Sequence, residues 1–389
     1  MLEEPLFSVK KKNGRRKPVE VPEAFAPLAD THGHLTAFRR LDPSEAIVRA
    51  ALVGVRLLIV PVDPAEDVSD VEEFLPWFER VRLEAASRLE ALVLAGEAPR
   101  DACALANNTY FVAGVHPYGA KQFMEDASIR ERLYALLEAP RCVGVGECGL
   151  DIGPWSELSL EEQVPAFREH LRIARERNLP VELHIRSGEG EFATAAHTKA
   201  LEVLREEGVP SAGCDLHCFT SGPEVMAPFV ELGCHVAFGG AATFGRSDEI
   251  RAAIAACPES LLLSETDSPY MAPVPLRGQE CEPAMVTFNA QNIARVRAEA
   301  GLSTVRETYA ALWRNACAFF GLDGAAGGEL AGLAGDEFSS DAGISLRTNK
   351  VDESGRRTHR DKSERRTLKD NPSVELLEMN PSLELLKID

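Results

Sequence analysis

The sequence predicts an α/β barrel, on three observations. Short β-branched or apolar runs alternate with helix-length segments along the body of the chain. There are eight such runs. Residues able to ligate a metal stand at or just past the ends of five of them, on the first, fourth, fifth, sixth and eighth. Strand–helix alternation on this count is the signature of parallel βαβ units closing into a TIM (β/α)8 barrel. A doubly wound open sheet shares the alternation, but it seldom brings its first and eighth strand ends to one point.

Taken in order, residues 1–25 read as a charged, Pro-containing N-terminal arm without periodicity. The barrel body follows over residues 26–322. Strands are expected near Leu28–His32, Arg56–Val60, Tyr110–Val115, Cys142–Glu147, Val181–His184, Cys214–His217, Cys234–Phe238 and Leu261–Glu265. Helical patterns lie between them, as at Ser159–Arg177 and Ser247–Ala256. Residues 63–108 separate the second and third strands and read as a helical insertion. Their charged helical pattern over Val71–Ala95 suggests a hairpin on the surface, the alternative being a lid over the pocket.

Residues 323–389 read as a linker and a flexible, disordered C-terminal tail, rich first in Gly and Ala and then in basic residues. The tail ends in a tandem nine-residue repeat, Asn371–Met379 and Asn380–Ile388. In each copy Asn suits an N-cap and Pro the first helical position. The clustered leucines are candidates for docking on a protein partner.

A net charge of −19 excludes a protein that coats nucleic acid through a broad basic face. It does not exclude a nuclease, because bound ions can supply local positive charge. The nine cysteines form no Cys-x-x-Cys pair. Cys148 and Cys218 each follow a ligand-type residue, and strand alternation turns both outward into the layer between barrel and helices. No run approaches the roughly 18 apolar residues of a membrane span, and no apolar stretch follows the basic N-terminus, so no membrane association and a cytoplasmic location are expected.

The ligand-type residues are Asp30, His32 and His34 in Asp-Thr-His-Gly-His, Glu147 in Gly-Glu-Cys-Gly-Leu-Asp, His184, His217, and Asp267 in Glu-Thr-Asp-Ser-Pro. Neutral imidazole suits Zn²⁺, Mn²⁺ or Fe²⁺, and carboxylates also accept Mg²⁺. Glu147 is the natural bridge, since a carboxylate has two oxygens and can hold two cations. Asp267 can ligate and also take the proton of an attacking water. Asp30 and Glu265 are expected behind the ligands, orienting them. His116 ends the third strand and suits a contact to phosphate or leaving group. Arg186 and Arg277 are candidates for pairing phosphate through a guanidinium fork. His170, His197, His235 and His359 fall off register and receive no role.

These motifs resemble the TatD family of metal-dependent hydrolases. The resemblance rests on Asp-Thr-His-Gly-His, Gly-Val-His-Pro, Val-Gly-Glu-Cys-Gly-Leu-Asp, Leu-Pro-Val-Glu-Leu-His-Ile-Arg, Leu-His-Cys-Phe-Thr-Ser-Gly and Leu-Ser-Glu-Thr-Asp-Ser-Pro-Tyr, in order over residues 26–322. It implies a barrel of the amidohydrolase superfamily with two divalent metal ions, Mg, Mn or Zn. His32, His34, Glu147 and Asp267 would hold one ion, and Glu147, His184 and His217 the other. It further implies a deoxyribonuclease, of the 3′-to-5′ exonuclease type on single-stranded DNA, working through a two-metal-activated water. The chain departs from the family pattern at Ile152-Gly153, Ile185, Ser187 and Cys281, around the substrate side. Two other readings stay open: a superfamily hydrolase acting on an ester, lactone or amide, and an adaptor working through its C-terminal tail.

Overall fold

The computed structural model describes residues 5–322, and the tail and its repeat lie outside them. Eight parallel strands follow one another in a single sheet: β3 (Leu28–Asp30), β4 (Val55–Val62), β5 (Thr109–Ala113), β6 (Cys142–Asp151), β7 (Val181–Arg186), β8 (Cys214–Leu216), β9 (His235–Phe238) and β10 (Leu262–Ser264). Each expected strand is present. The sheet is closed by a seam between β3 and the segment following β10. Thr31 N–H donates to Ser264 O (3.1 Å), Asp267 N–H to His32 O (2.8 Å) and His34 N–H to Ser268 O (2.8 Å). Asp30 reinforces the seam, accepting from Thr266 N–H (2.8 Å) and Thr266 Oγ1 (2.7 Å).

The helices are α1 (Pro43–Leu52), α2 (Val71–Leu94), α3 (Ala104–Asn107), α4 (Ala120–Glu125), α5 (Ala127–Leu137), α6 (Leu160–Arg177), α7 (Ala195–Glu207), α8 (Pro223–Glu231), α9 (Asp248–Ala256), α10 (Val286–Glu299) and α11 (Val305–Phe319). Local chemistry explains their starts. Asp42 caps α1 by accepting from Ser44 and Glu45 N–H, and Ser159 with Glu162 forms a capping box on α6. The main core lies between strands and helices, with Val181, Leu183, Cys214 and Leu216 turned into it. A second cluster of Leu57, Ile59, Val112 and Leu263 fills the barrel interior and meets Phe319, Phe320 and Leu322 at the end of the body.

Two expectations change. The N-terminal arm is not featureless: β1 (Phe7–Lys10) and β2 (Arg16–Val19) pair antiparallel around Asn13-Gly14. Phe7 packs on Phe288 (5.5 Å between centroids), and Arg49 holds Leu6 O and the Glu282 carboxylate. Segment 63–108 is not a hairpin of two matched helices. It is the long α2 followed by the one-turn α3, and Phe74 and Phe78 of α2 pack edge-on against Phe111 of β5. Among the described residues no helix is long and apolar enough to cross a membrane.

Candidate metal centre

The C-terminal ends of the strands bring four histidines and two carboxylates to one place. His32 and His34 face each other through Nε2 at 3.1 Å, where the chain turns at Gly33. Asp267 Oδ1 lies 3.8 Å from His32 Nε2 and 3.6 Å from His34 Nε2. Opposite them, His184 Nδ1 and His217 Nε2 lie 3.0 Å apart. Glu147 stands between the two groups. Its Oε1 is 3.7 Å from His34 Nε2, while its Oε2 is 3.0 Å from His184 Nδ1 and 2.9 Å from His217 Nε2.

The chemistry of this donor set fits divalent metal. Metal–ligand bonds of about 2.0–2.2 Å place neighbouring ligands roughly 3.0–3.5 Å apart, and the separations here run from 2.9 to 3.8 Å. Two imidazole nitrogens facing one another need either a shared proton or a cation between them. Four groupings of ligand atoms lie close enough to share an ion among the described residues, and two of them are His32, His34 and Asp267, and Glu147, His184 and His217.

Charge reinforces the fit. Burial disfavours protonation of His34, yet Asp267 and Glu147 outweigh it and hold the imidazole up at about 9. His184 is likewise lifted to about 10 by Asp151 and Glu147 against the pull of burial. Burial works to raise Glu147, but His217 and His184 carry it well below the carboxylate range. The carboxylates thus concentrate negative charge that stabilises a cation at this place.

Around the donors, supporting groups set orientation. Asp151 accepts from His184 Nε2 at 2.9 Å, turning Nδ1 toward Glu147. Asp151 is itself clamped: Gln163 accepts from its N–H and donates to its C=O, both at 2.7 Å. Glu265 accepts from Cys218 N–H (2.5 Å) and lies 3.9 Å from His217 Nδ1. Asp30 lies behind His32, accepting from its N–H (3.5 Å), and also serves the seam with Thr266 as partner. His116 packs edge-on against His184, with 4.3 Å between centroids, and burial holds it down at about 3. Arg186 lies over Trp155 at 4.7 Å, and Arg277 over Phe244 at 4.3 Å.

Several residues escaped the sequence reading. Asp151 stood inside a quoted motif without a role. His170 is fully buried, accepts from Val115 N–H through Nε2 (3.0 Å) and holds Ala166 O through Nδ1 (2.7 Å), so it fastens the strand end that carries His116. The outward placement expected for Cys218 fails. β8 ends at Leu216, Cys218 takes a left-handed φ of 47°, and its thiol pairs with Asp267. Cys148, paired in register with Leu183, does join the outer layer.

Comparison with known proteins agrees with the site. The family model described as TatD related DNase matches residues 29–321. Metal-dependent hydrolase YcfH of Escherichia coli (strain K12) is 38% identical over 195 residues, which is 50% of this chain and 69% of YcfH. A protein named 3′-5′ ssDNA/RNA exonuclease TatD, from Escherichia fergusonii, is 35% identical over 192 residues, 48% of this chain and 70% of that one. The crystal structure of YjjV, a TatD homologue from Escherichia coli K12, superimposes with a TM-score of 0.56 at 25% identity, covering 76% of this chain and 99% of YjjV. The chain therefore belongs to the TatD family of metal-dependent hydrolases.

Proposed function

We propose that this chain hydrolyses phosphodiester bonds in nucleic acid, as a deoxyribonuclease that shortens single-stranded DNA from its 3′ end. The observation that carries the proposal is the position of Glu147, whose two oxygens face two separate donor groups. Paired sites bridged in this way suit in-line displacement at phosphorus, and the exonuclease name of a 35%-identical relative points to the same substrate. Divalent ions bound there supply Lewis acidity toward the phosphoryl oxygens and lower the pKa of water.

The chain's own residues do the rest. Asp267, partly open to solvent beside His32 and His34, takes the proton of the attacking water. His116 is neutral and its Nδ1 accepts from Tyr118 N–H (3.2 Å), so Nε2 carries the proton and can donate to a substrate oxygen. Arg186 offers its fork to phosphate beside the face of Trp155, a surface on which a base can stack.

One observation favours the competing reading, an ester, lactone or amide substrate. Glu66 lies close enough to Glu147 and His34 to interact with both, and a phosphate entering there meets another carboxylate. End-labelled single-stranded DNA with Mn²⁺ or Mg²⁺ separates the two. Stepwise shortening by the wild type, reduced at least ~10³-fold in Glu147→Ala, is expected of a nuclease. Intact DNA beside turnover of a carboxylic ester by the same metal-loaded protein would overturn the proposal.

A further inference from the structure

Beneath the donor cluster the barrel interior carries a layer of carboxylates that the reaction above leaves without a role. Side chains alternate along a strand, so the residue two before a pocket-facing one looks into the interior one layer deeper. Glu182 and Asp215 occupy that position below His184 and His217, and Glu265, just past the end of β10, is buried with them. Their neighbours Val181, Leu183, Cys214 and Leu216 face the outer core, which confirms the inward direction of Glu182 and Asp215.

Glu265 is partnered by Cys218 N–H. Glu182 and Asp215 are not: both are at most 1% exposed, and no oxygen of either has a hydrogen bond. They stand side by side in the register of β7 and β8. Two unpaired carboxylates in a barrel interior weaken the fold, and an apolar residue of the same volume would serve folding better. The glycine before Glu147 also makes room for one of them, since a Cβ on Gly146 would lie 2.7 Å from Glu182 Cβ.

What Glu182 faces is His32. Its Oε2 lies 3.2 Å from His32 Nδ1, and both side chains are fully buried. The His32 ring is stacked on His217 (4.0 Å between centroids, 12° between planes), with Nε2 turned to His34 and Asp267. An imidazole that ligates through Nε2 must keep its proton on Nδ1, and Glu182 is the acceptor in reach of that proton. Asp151 serves His184 in the same way from above.

We infer that Glu182 is a positioning residue for the metal centre: it accepts the Nδ1 proton of His32, fixing the tautomer and ring angle that aim Nε2 at the ion. The inference rests on the two-ion reading of the site. Mn²⁺ binding to the full chain, measured by calorimetry, tests it in the wild type, Glu182→Gln and Glu182→Met, together with melting of the metal-free proteins. Gln keeps an acceptor oxygen without the charge; Met fills the volume and offers no acceptor. Affinity should fall in the order wild type, Gln, Met, with Met weaker by about 10–100-fold, while metal-free Met variant melts no lower than wild type. Wild-type affinity in the Met variant overturns the inference, and so does a loss matched by a lower metal-free melting temperature, which marks a purely structural role. A wild type that takes up no Mn²⁺ sinks the two-ion reading itself before any substitution is made.

Discussion

Single residues carry most of what is distinctive here, and His170 shows how a buried one answers to pH. Burial lowers it from 6.5 to about 4, against a smaller opposing effect of Ala166 O. Its folded pKa is depressed, so the unfolded chain binds the proton first. The neutral imidazole's contribution is complete above pH 6.5 and drains away as pH falls toward 4, to a limit of ~3 kcal/mol. In urea titrations, His170→Gln should therefore flatten the loss of stability between pH 6.5 and 4; an unchanged slope would assign the acid sensitivity elsewhere. The ligand-type residues themselves stood out in the sequence because each closes a short apolar run. Their supports did not. Glu182 and Asp215 look like interruptions in buried strands, and only the two-residue period linking each to a histidine gives their direction away. Cys218 misled for the converse reason, since alternation was applied two residues beyond the end of β8.

Among elements, β6 comes very close to the segment just past the end of β5, where Gly114 faces Gly146. A Cβ on Gly114 would lie 2.7–2.8 Å from the Gly146 backbone, immediately before Glu147. Gly114→Ala should destabilise by about 1–3 kcal/mol and weaken Mn²⁺ binding, because the strand that must give way carries the bridging carboxylate. Urea melts with a metal titration would check it, and a stable variant with wild-type affinity would count against this account. The eight strands were readable because each is a short apolar run set off by helical segments. The β1–β2 hairpin was not, although Asn13-Gly14 is a turn signal, because each strand is only four residues long and β2 is exposed and polar.

For the whole molecule, the described body contains the complete donor set and its supports, ending at Leu322 packed with Phe319 and Phe320. A chain shortened to residues 1–322 should keep its turnover within about twofold and its metal content unchanged, because the donors and their supports named above all lie within it. Loss of turnover with the metal retained would give residues 323–389 a part in catalysis, whereas the adaptor reading of the tail predicts lost partner capture.

The seam between β3 and β10 has a consequence for the growing polypeptide. His32 and His34 arrive early in synthesis, but Asp267, which completes their donor group, follows the last strand. Glu147, His184 and His217 are all present well before it. A ribosome-bound chain halted near residue 260 therefore holds one group whole and the other split. On the two-ion reading, capacity for the second ion would appear only when the barrel shuts, ion uptake would report on closure, and hydrolytic competence would be withheld from unfinished chains.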